Sequence, residues 1–307
     1  MRGLLVVNPN ATTTNTHVRD VIVSALRATV DLEMVTTTHQ GHARDLGEQA
    51  LRAGLDVVIT LGGDGTINEV VNGMLVDGPG PQVPALATVP GGSANVLARS
   101  AGLPRDPVEA TGVLLGGLHD RRYRTISLGR ADDHWFTMSV GMGLDAEIIA
   151  AMEGQRAAGK KATPARYLAI TLREYFSRTD RKNPTIMIER PGSEDVDHVF
   201  LCIVQNSAPW TFFGELPVNP NPGASFDDDL AAFAIRDLRV LPSLVWTRRL
   251  LWGSAEVQRK GLFVARDIPE LTLRASRPTA VQIDGEAMGP QEQVRIVSVP
   301  RALRLVV

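Results

Sequence analysis

The 307-residue chain has a single cysteine, Cys202, so no disulfide can form within it. Cys202 lies in the apolar run Val199-Phe200-Leu201-Cys202-Ile203-Val204 and reads as a small buried hydrophobe, at home in a reducing compartment. Lysine is almost absent: Lys160, Lys161, Lys182 and Lys260 are the only four, and arginine carries the rest of the positive charge. A formal net charge of −2 without any large basic block argues against a nucleic-acid protein, whose affinity rests on a basic face that releases counterions from phosphates. No uncharged apolar run approaches the roughly 18 residues of a spanning helix. The first apolar run, Leu4-Leu5-Val6-Val7, stops at Asn8-Pro9, with neither the length of a signal-peptide core nor a small-residue cleavage site after it. These absences lead us to expect a cytoplasmic protein, peripheral at the inner face of a membrane at most.

With 44% hydrophobic and 21% charged residues, the chain has the balance of a globular protein of two domains, at roughly 150 residues each. As far as residue 120, short β-branched runs at 4–7, 32–36, 57–60 and 85–89 alternate with helical patterns at 18–29, 43–53 and 66–75. This is the mark of βαβ units around a parallel sheet. After a further helical stretch at 107–118, period-two runs follow at 125–128, 135–140, 185–189, 198–205, 230–235, 271–275, 281–284, 294–297 and 303–307. Helical inserts are expected at 146–152, 164–177 and 241–252. The division expected is an α/β domain over 1–122 and a mainly antiparallel, β-sandwich domain over 123–307.

The most informative segment is Leu61-Gly62-Gly63-Asp64-Gly65-Thr66-Ile67-Asn68-Glu69, where a buried strand runs through a glycine cluster straight into a helix. Backbone N–H groups in such a turn approach a ligand closely, and the helix start behind them favours anionic oxygens. Thr66 is placed to cap that helix, and Asp64, among phosphates, suits a Mg²⁺ ion or its water shell. The bland alternative is a tight turn with Asp64 as cap. The segment is neither Walker A, which needs a lysine, nor G-x-G-x-x-G. A second turn, Pro90-Gly91-Gly92-Ser93-Ala94-Asn95, follows the next strand. Two such turns define one crevice at the carboxyl ends of an open α/β sheet, with Ser93 either a helix cap or a hydroxyl reaching a phosphate.

Together with Asn8-Pro9, Gly141-Met142-Gly143-Leu144-Asp145, Ala224-Ser225-Phe226-Asp227-Asp228-Asp229-Leu230 and Asp284-Gly285-Glu286, these segments resemble the diacylglycerol kinase catalytic-domain family. The soluble bacterial lipid kinases are the nearer likeness, and sphingosine kinases are more distant relatives. The resemblance implies a phosphofructokinase-like nucleotide domain and ATP bound in the cleft between domains. It puts residues 62–68 and Glu69 around the phosphates, with Asn8, Thr37 and Ser93 as further contacts. It also implies a Mg²⁺ held by the Asp228 carboxylate and the main-chain oxygens of Ser225 and Leu230. The chain departs from the family pattern at Asn10-Ala11, where Ser-Gly is usual, at Ser93, where threonine is frequent, and at Asp229, where glycine is usual.

Asp284-Gly285 is a favoured hairpin turn, yet residues two apart in extended backbone project to one side, so Asp284 and Glu286 are expected to present paired carboxylates to one point. One of the two is the expected general base for a hydroxyl attacking a γ-phosphoryl group, with Asp64 the third catalytic acid. For lipid contact the candidates are Trp210-Thr211-Phe212-Phe213-Gly214, the stretch 244–252 with Arg248-Arg249, and Lys160-Lys161. Each also reads as ordinary core or exposed loop. The function this reading favours is an ATP- and Mg²⁺-dependent lipid kinase converting diacylglycerol to phosphatidic acid. The alternatives are an NAD kinase-type phosphotransferase and a non-catalytic nucleotide-binding regulator. The sequence leaves a homodimer open.

Overall fold

The computed structural model describes all residues except 10, 12–15, 158–163, 181 and 241–260. The stretch 244–252 and Lys160-Lys161 therefore lie outside the described residues. The chain divides into two compact units, one of residues 1–128 with 300–307 and the other of residues 129–299.

The first unit is built on four parallel strands, β1 (Arg2–Val7), β2 (Asp31–Thr36), β3 (Val57–Gly62) and β4 (Ala85–Pro90), in the order β4-β3-β1-β2. Helices α1 (Thr16–Arg27), α2 (His42–Arg52), α3 (Asp64–Met74), α4 (Val96–Ser100) and α5 (Pro107–Asp120) connect and follow them. β3 and β4 are buried at every residue, which is why they read as unbroken apolar runs, whereas β2 at the edge is mostly exposed. The core against one face joins Leu5 and Val7 of β1 with Ile59 and Leu61 of β3 and Ile22 and Leu26 of α1. α2 and α3 cross at backbone distance. A Cβ on Gly73 would lie 1.9 Å from the Arg44 carbonyl oxygen, and one on Gly47 would lie 2.4 Å from that of Val70.

The second unit is antiparallel. Its strands are β5 (Tyr123–Ala131, entering from the first unit), β6 (His134–Phe136), β7 (Ser139–Gly143), β8 (Ile186–Glu189), β9 (Val196–Val199) and β10 (Leu201–Gln205). They are followed by the small hairpin β11 (Thr211–Phe213) and β12 (Leu216–Val218), then by β13 (Leu230–Ile235), β14 (Leu262–Ile268), β15 (Glu270–Ile283) and β16 (Glu286–Val306). The path is β14-β13-β10-β7-β15-β16, and β15 serves two partners in turn: residues 272–275 pair with β8 and residues 281–283 with β7. Helices α6 (Leu144–Ala157) and α7 (Pro164–Arg173), with a π-helical turn Glu174–Arg178, follow β7. Alternation along β10 sorts the two faces. Cys202 and Val204 enter the core between strands, while Leu201 and Ile203 pack with Leu144, Ile148 and Ile170 of the helices. Cys202 is fully buried, and burial pushes its thiol pKa up, leaving it inert.

Several expectations are corrected. Residues 135–140 are two strands, because the amides of Thr137 and Met138 donate to the Asp284 carboxylate and not to a ladder. The run 271–275 and residues 281–283 of the run 281–284 belong to one 14-residue strand, with a register shift between Arg274 and Thr279 that breaks the period, while Asp284 lies in the turn that follows. Residues 303–307, expected in the second domain, return to the first unit as the end of the 21-residue β16, where Leu305 pairs in parallel with Leu86. Strand β14 escapes a reading by periodicity because only its last residue, Ile268, is fully buried.

The helix crossing yields a stability test. Gly73→Ala is expected to cost about 2–3 kcal/mol through overpacking against the Arg44 carbonyl. At exposed Gly112 of α5 a Cβ meets nothing within 4 Å, so Gly112→Ala is expected to gain up to about 1 kcal/mol. Urea unfolding of both variants checks the contrast, and equal midpoints would refute the close crossing.

Candidate functional site

In the first unit the carboxyl ends of all four parallel strands carry candidate residues. Asn8 follows β1, Thr37 follows β2, Gly62 and Gly63 end and follow β3, and Ser93 lies beyond β4. β1 is the first strand, and the chain adds β2 on one side of it and β3 on the other, so the order reverses between β1 and β3. A crevice opens at such a point. At this point Asn8 ties the strand ends together: its amide N–H donates to the Leu61 carbonyl at 3.0 Å and its Nδ2 donates to Thr66 Oγ1 at 3.0 Å. Thr37 donates its amide to the Val7 carbonyl at 2.9 Å, bringing the β2 end beside β1.

The two glycine turns lie against each other. Gly91 donates to the Gly62 carbonyl at 2.8 Å, and a Cβ on Gly92 would lie 2.6 Å from the Gly63 Cα. Part of the glycine requirement is therefore turn-on-turn packing. Asn95, buried and left-handed at φ 49°, clamps the second turn: its Oδ1 accepts from the Gly92 N–H and its Nδ2 donates to the Gly92 carbonyl, both at 2.8 Å. Sequence reasoning gave Asn95 no role, although asparagine is a residue that tolerates this backbone region.

The capping expectations fail. α3 begins at Asp64 with Gly63 as its cap residue and no side-chain capping bond, so Thr66 lies inside the first turn and not ahead of it. Asn95, not Ser93, stands at the cap position of α4, again without a side-chain bond to the helix. Asp64 Oδ1 instead accepts from the Leu97 amide at 3.3 Å in the first turn of α4.

Helical geometry separates the rest of the motif. Gly63, Asp64 and Gly65 are partly exposed, and Ser93 is exposed. Ile67 is buried in the core, and Asn68 is buried and accepts from Asn72 Nδ2. Glu69 reaches the start of α2, accepting from the Gly41 and Ala43 amides at 2.9 and 3.1 Å. Ile67, Asn68 and Glu69 thus brace the turn with side chains directed elsewhere. Arg99 was also missed. Its guanidinium feels Asp64, while burial and the like charge of Arg105 hold its pKa below the ordinary arginine value.

In the second unit the expected pair of carboxylates is split. Asp284 and Gly285 are both left-handed, at φ 48° and 85°, and form a two-residue hairpin turn between Ile283 and Glu286. Asp284 is therefore not in extended backbone, and its carboxylate folds back, 6% exposed. Oδ2 accepts from the Thr137 amide at 2.8 Å and hydroxyl at 2.9 Å, and Oδ1 accepts from the Met138 and Ser139 amides, both at 2.9 Å. Glu286, which opens β16, is partly exposed.

A further acid, Asp145, enters the sequence reading only as part of a motif. It is 3% exposed in the first turn of α6, accepts from Gln282 Nε2 at 3.0 Å, and burial pushes its pKa up to about 6. In the acidic loop, Ser225 closes a turn: its carbonyl accepts from the Asp228 amide and its Oγ from the Asp227 amide, both at 3.2 Å. Asp228 is exposed beside it. One carboxylate with main-chain oxygens is a hard-oxygen set that fits Mg²⁺, although among the described residues no three His, Cys, Asp or Glu side chains converge. Of the aromatic candidates, Trp210 packs against the α6 cluster and Phe212 lies in the β11–β12 hairpin.

The model of the diacylglycerol kinase catalytic domain matches residues 2–155, half of the chain. The chain belongs to this family. A diacylglycerol kinase of Bacillus subtilis (strain 168) is 37% identical over 89 residues, 29% of this chain and 27% of that protein. The matched stretch thus spans little more than a quarter of that relative's length. A crystal structure of a diacylglycerol kinase from Bacillus anthracis str. Sterne superposes with a TM-score of 0.74 at 20% identity, over 99% of this chain and 96% of that one. An NAD kinase from Archaeoglobus fulgidus, solved with ATP, reaches 0.52 at 13% identity, over 100% and 94%. Both likenesses concern the fold, an α/β domain joined to an antiparallel one.

Two outcomes test these environments. Asp284→Ala strands four buried donors and is expected to cost several kcal/mol, at about 1–3 for each lost partner, read as a lowered denaturant midpoint. An unchanged midpoint would show that the carboxylate holds nothing. Asp145, with its raised pKa, is ionised in both folded and unfolded states above about pH 6 and bears the full cost of burial. As pH falls toward 4 the folded chain takes up the proton first. The stability of the native protein relative to Asp145→Asn should therefore rise between pH 7 and 4, by up to about 3 kcal/mol. A pH-independent difference would contradict the burial.

Proposed function

We propose that the chain is a lipid kinase that transfers the γ-phosphoryl group of ATP to a lipid hydroxyl, with diacylglycerol as acceptor and phosphatidic acid as product. The observation that carries the reading is the pair of interlocked glycine turns at the carboxyl ends of β3 and β4, beside the switch point of the parallel sheet, in a chain of the diacylglycerol kinase catalytic-domain family. The partly exposed Gly63, Asp64 and Gly65 suit contact with ATP phosphates, the uncapped start of α3 favours their charge, and Arg99 adds positive field. Asn8, Thr37 and Ser93 are the further nucleotide contacts.

Of the two acids, Glu286 is the proton acceptor. The four hydrogen bonds described for Asp284 all go to residues 137–139, so its part is to fix the turn from which Glu286 emerges. Glu286 accepts the hydroxyl proton as the lipid oxygen attacks the γ-phosphorus; the bond to the bridging oxygen breaks, and ADP leaves. Asp228 with the carbonyl oxygens of Ser225 and Leu230 would hold a Mg²⁺, which supplies charge neutralisation when bound. Asp64 suits a second Mg²⁺ carried by the nucleotide. Among the described residues no helix is long and apolar enough to cross a membrane. Leu172 and Phe176, one turn apart and 47% and 51% exposed, offer an apolar strip for a lipid surface.

The test is transfer of labelled γ-phosphate to diacylglycerol in detergent micelles, with NAD in a parallel reaction. Glu286→Gln is expected to lose at least about 100-fold in kcat while ATP binding persists. Label on NAD alone would replace the lipid reading with NAD phosphorylation. ATP binding without any transfer would favour a non-catalytic regulator.

A further inference from the structure

Resting on the kinase reading above, we propose that helix α6 is the positioning element for Glu286, holding through Asp145 and Glu153 the two main-chain N–H groups on either side of it. The Gly285 amide, one residue before Glu286, donates to Gln282 Oε1 at 2.8 Å. Gln282 Nε2 in turn donates to Asp145 Oδ2 at 3.0 Å. One residue after Glu286, the Ala287 amide donates to Glu153 Oε1 at 3.1 Å. Asp145 and Glu153 are eight residues apart on α6, about two turns, and so share one face of it.

The direction of these bonds is set by charge. An ionised Asp145 can only accept, so the amide group of Gln282 must turn its NH₂ to Asp145, which leaves its oxygen facing the Gly285 N–H. Gln282 is 2% exposed and Asp145 3%, so no bulk water competes for either group. Space for the pair is left by Gly141 on β7. A Cβ there would lie 2.2 Å from Asp145 Oδ2 and 2.7 Å from Gln282 Nε2. The segment Gly141-Met142-Gly143-Leu144-Asp145 thereby gains a role that phosphate binding does not give it: glycine makes the room, and aspartate sets the amide. With Asp284 anchoring the turn from below, Glu286 is left with little backbone freedom.

Four variants of the full chain test this. Gln282→Leu removes both bonds. Gln282→Glu sets two carboxylates against each other. The exchange Asp145→Asn with Gln282→Glu restores both bonds with the charge moved, since the side-chain amide introduced at position 145 donates and the carboxylate introduced at position 282 accepts from it and from the Gly285 N–H. We expect each single Gln282 variant to lower kcat about 10- to 100-fold, the scale of a reacting group displaced by about 1 Å. KM for ATP should stay within about twofold, and the exchanged pair should recover most of the loss. In a Glu286→Gln background, Gln282→Leu should cost no more, because no proton acceptor remains to be positioned. Full kcat in Gln282→Leu, or losses that add in the double variant, would overturn the proposal. No phosphate transfer by the unmodified chain would count against the kinase reading instead. Amide hydrogen exchange still decides the cradle in that case: protection at Gly285 lost in Gln282→Leu supports it, and unchanged protection overturns it.

Discussion

One buried carboxylate organises the second unit. Asp284 accepts four hydrogen bonds from three consecutive residues, 137–139, which lie nearly 150 positions earlier in the chain. Such an arrangement is stabilising only when complete, since any donor left unmet in a site this dry costs more than a made bond returns. Completion requires that the chain at 137–138 abandon the ladder, which separates β6 from β7, and that residue 284 take a left-handed conformation. Both occur. The separation frees β7 to pair with β10 on one side and β15 on the other, so the order of the central strands follows from where this carboxylate is satisfied.

The first unit depends on close approach. Its two glycine turns and its α2–α3 crossing bring backbone against backbone at distances where a single methyl group would collide. Close approach does two things at once: it packs the α/β layer tightly, and it leaves main-chain N–H groups at the strand ends without side chains in front of them. Glu69 serves the same arrangement from behind. It belongs to the helix after the turn, yet its carboxylate caps α2 through Gly41 and Ala43, tying the loop after β2 to the helix after β3. The contiguous run from Gly62 to Glu69 thus contains partly exposed backbone, core and brace in succession.

These two units differ in how much of them the sequence discloses. The parallel strands are legible because burial on both faces demands uninterrupted apolar residues, and the glycine turns are legible because few local structures need three glycines in four positions. The long strands β15 and β16 are not, because register shifts let polar residues such as Arg277 and Gln291 sit where strict alternation would forbid them. The pairing of Asp284 with Glu286 was misjudged for a related reason. Spacing of two implies one face only in extended backbone, and Asp-Gly is also the pair that leaves extended backbone most readily. The hairpin reading and the shared-face reading were mutually exclusive, and the φ values of 48° and 85° decide for the hairpin.

That decision changes what a short acidic motif means. If both carboxylates pointed to one place, either could take a proton and each would disturb the other's charge. With Asp284 saturated below and Glu286 partly exposed above, the two acids have separate work, one holding the turn and the other leaving it. A turn held by only one anchor would still pivot. The additional bonds that the Gly285 amide donates to Gln282 and the Ala287 amide donates to Glu153 remove that pivot, and both trace back to α6. The burial of Asp145 opposes folding while it is charged, yet the charged form, which can only accept, holds the Gln282 amide in the same orientation that the Gly285 N–H requires. Paying stability for an orientation makes physical sense where the oriented group is a proton acceptor, and less where the turn has only to close.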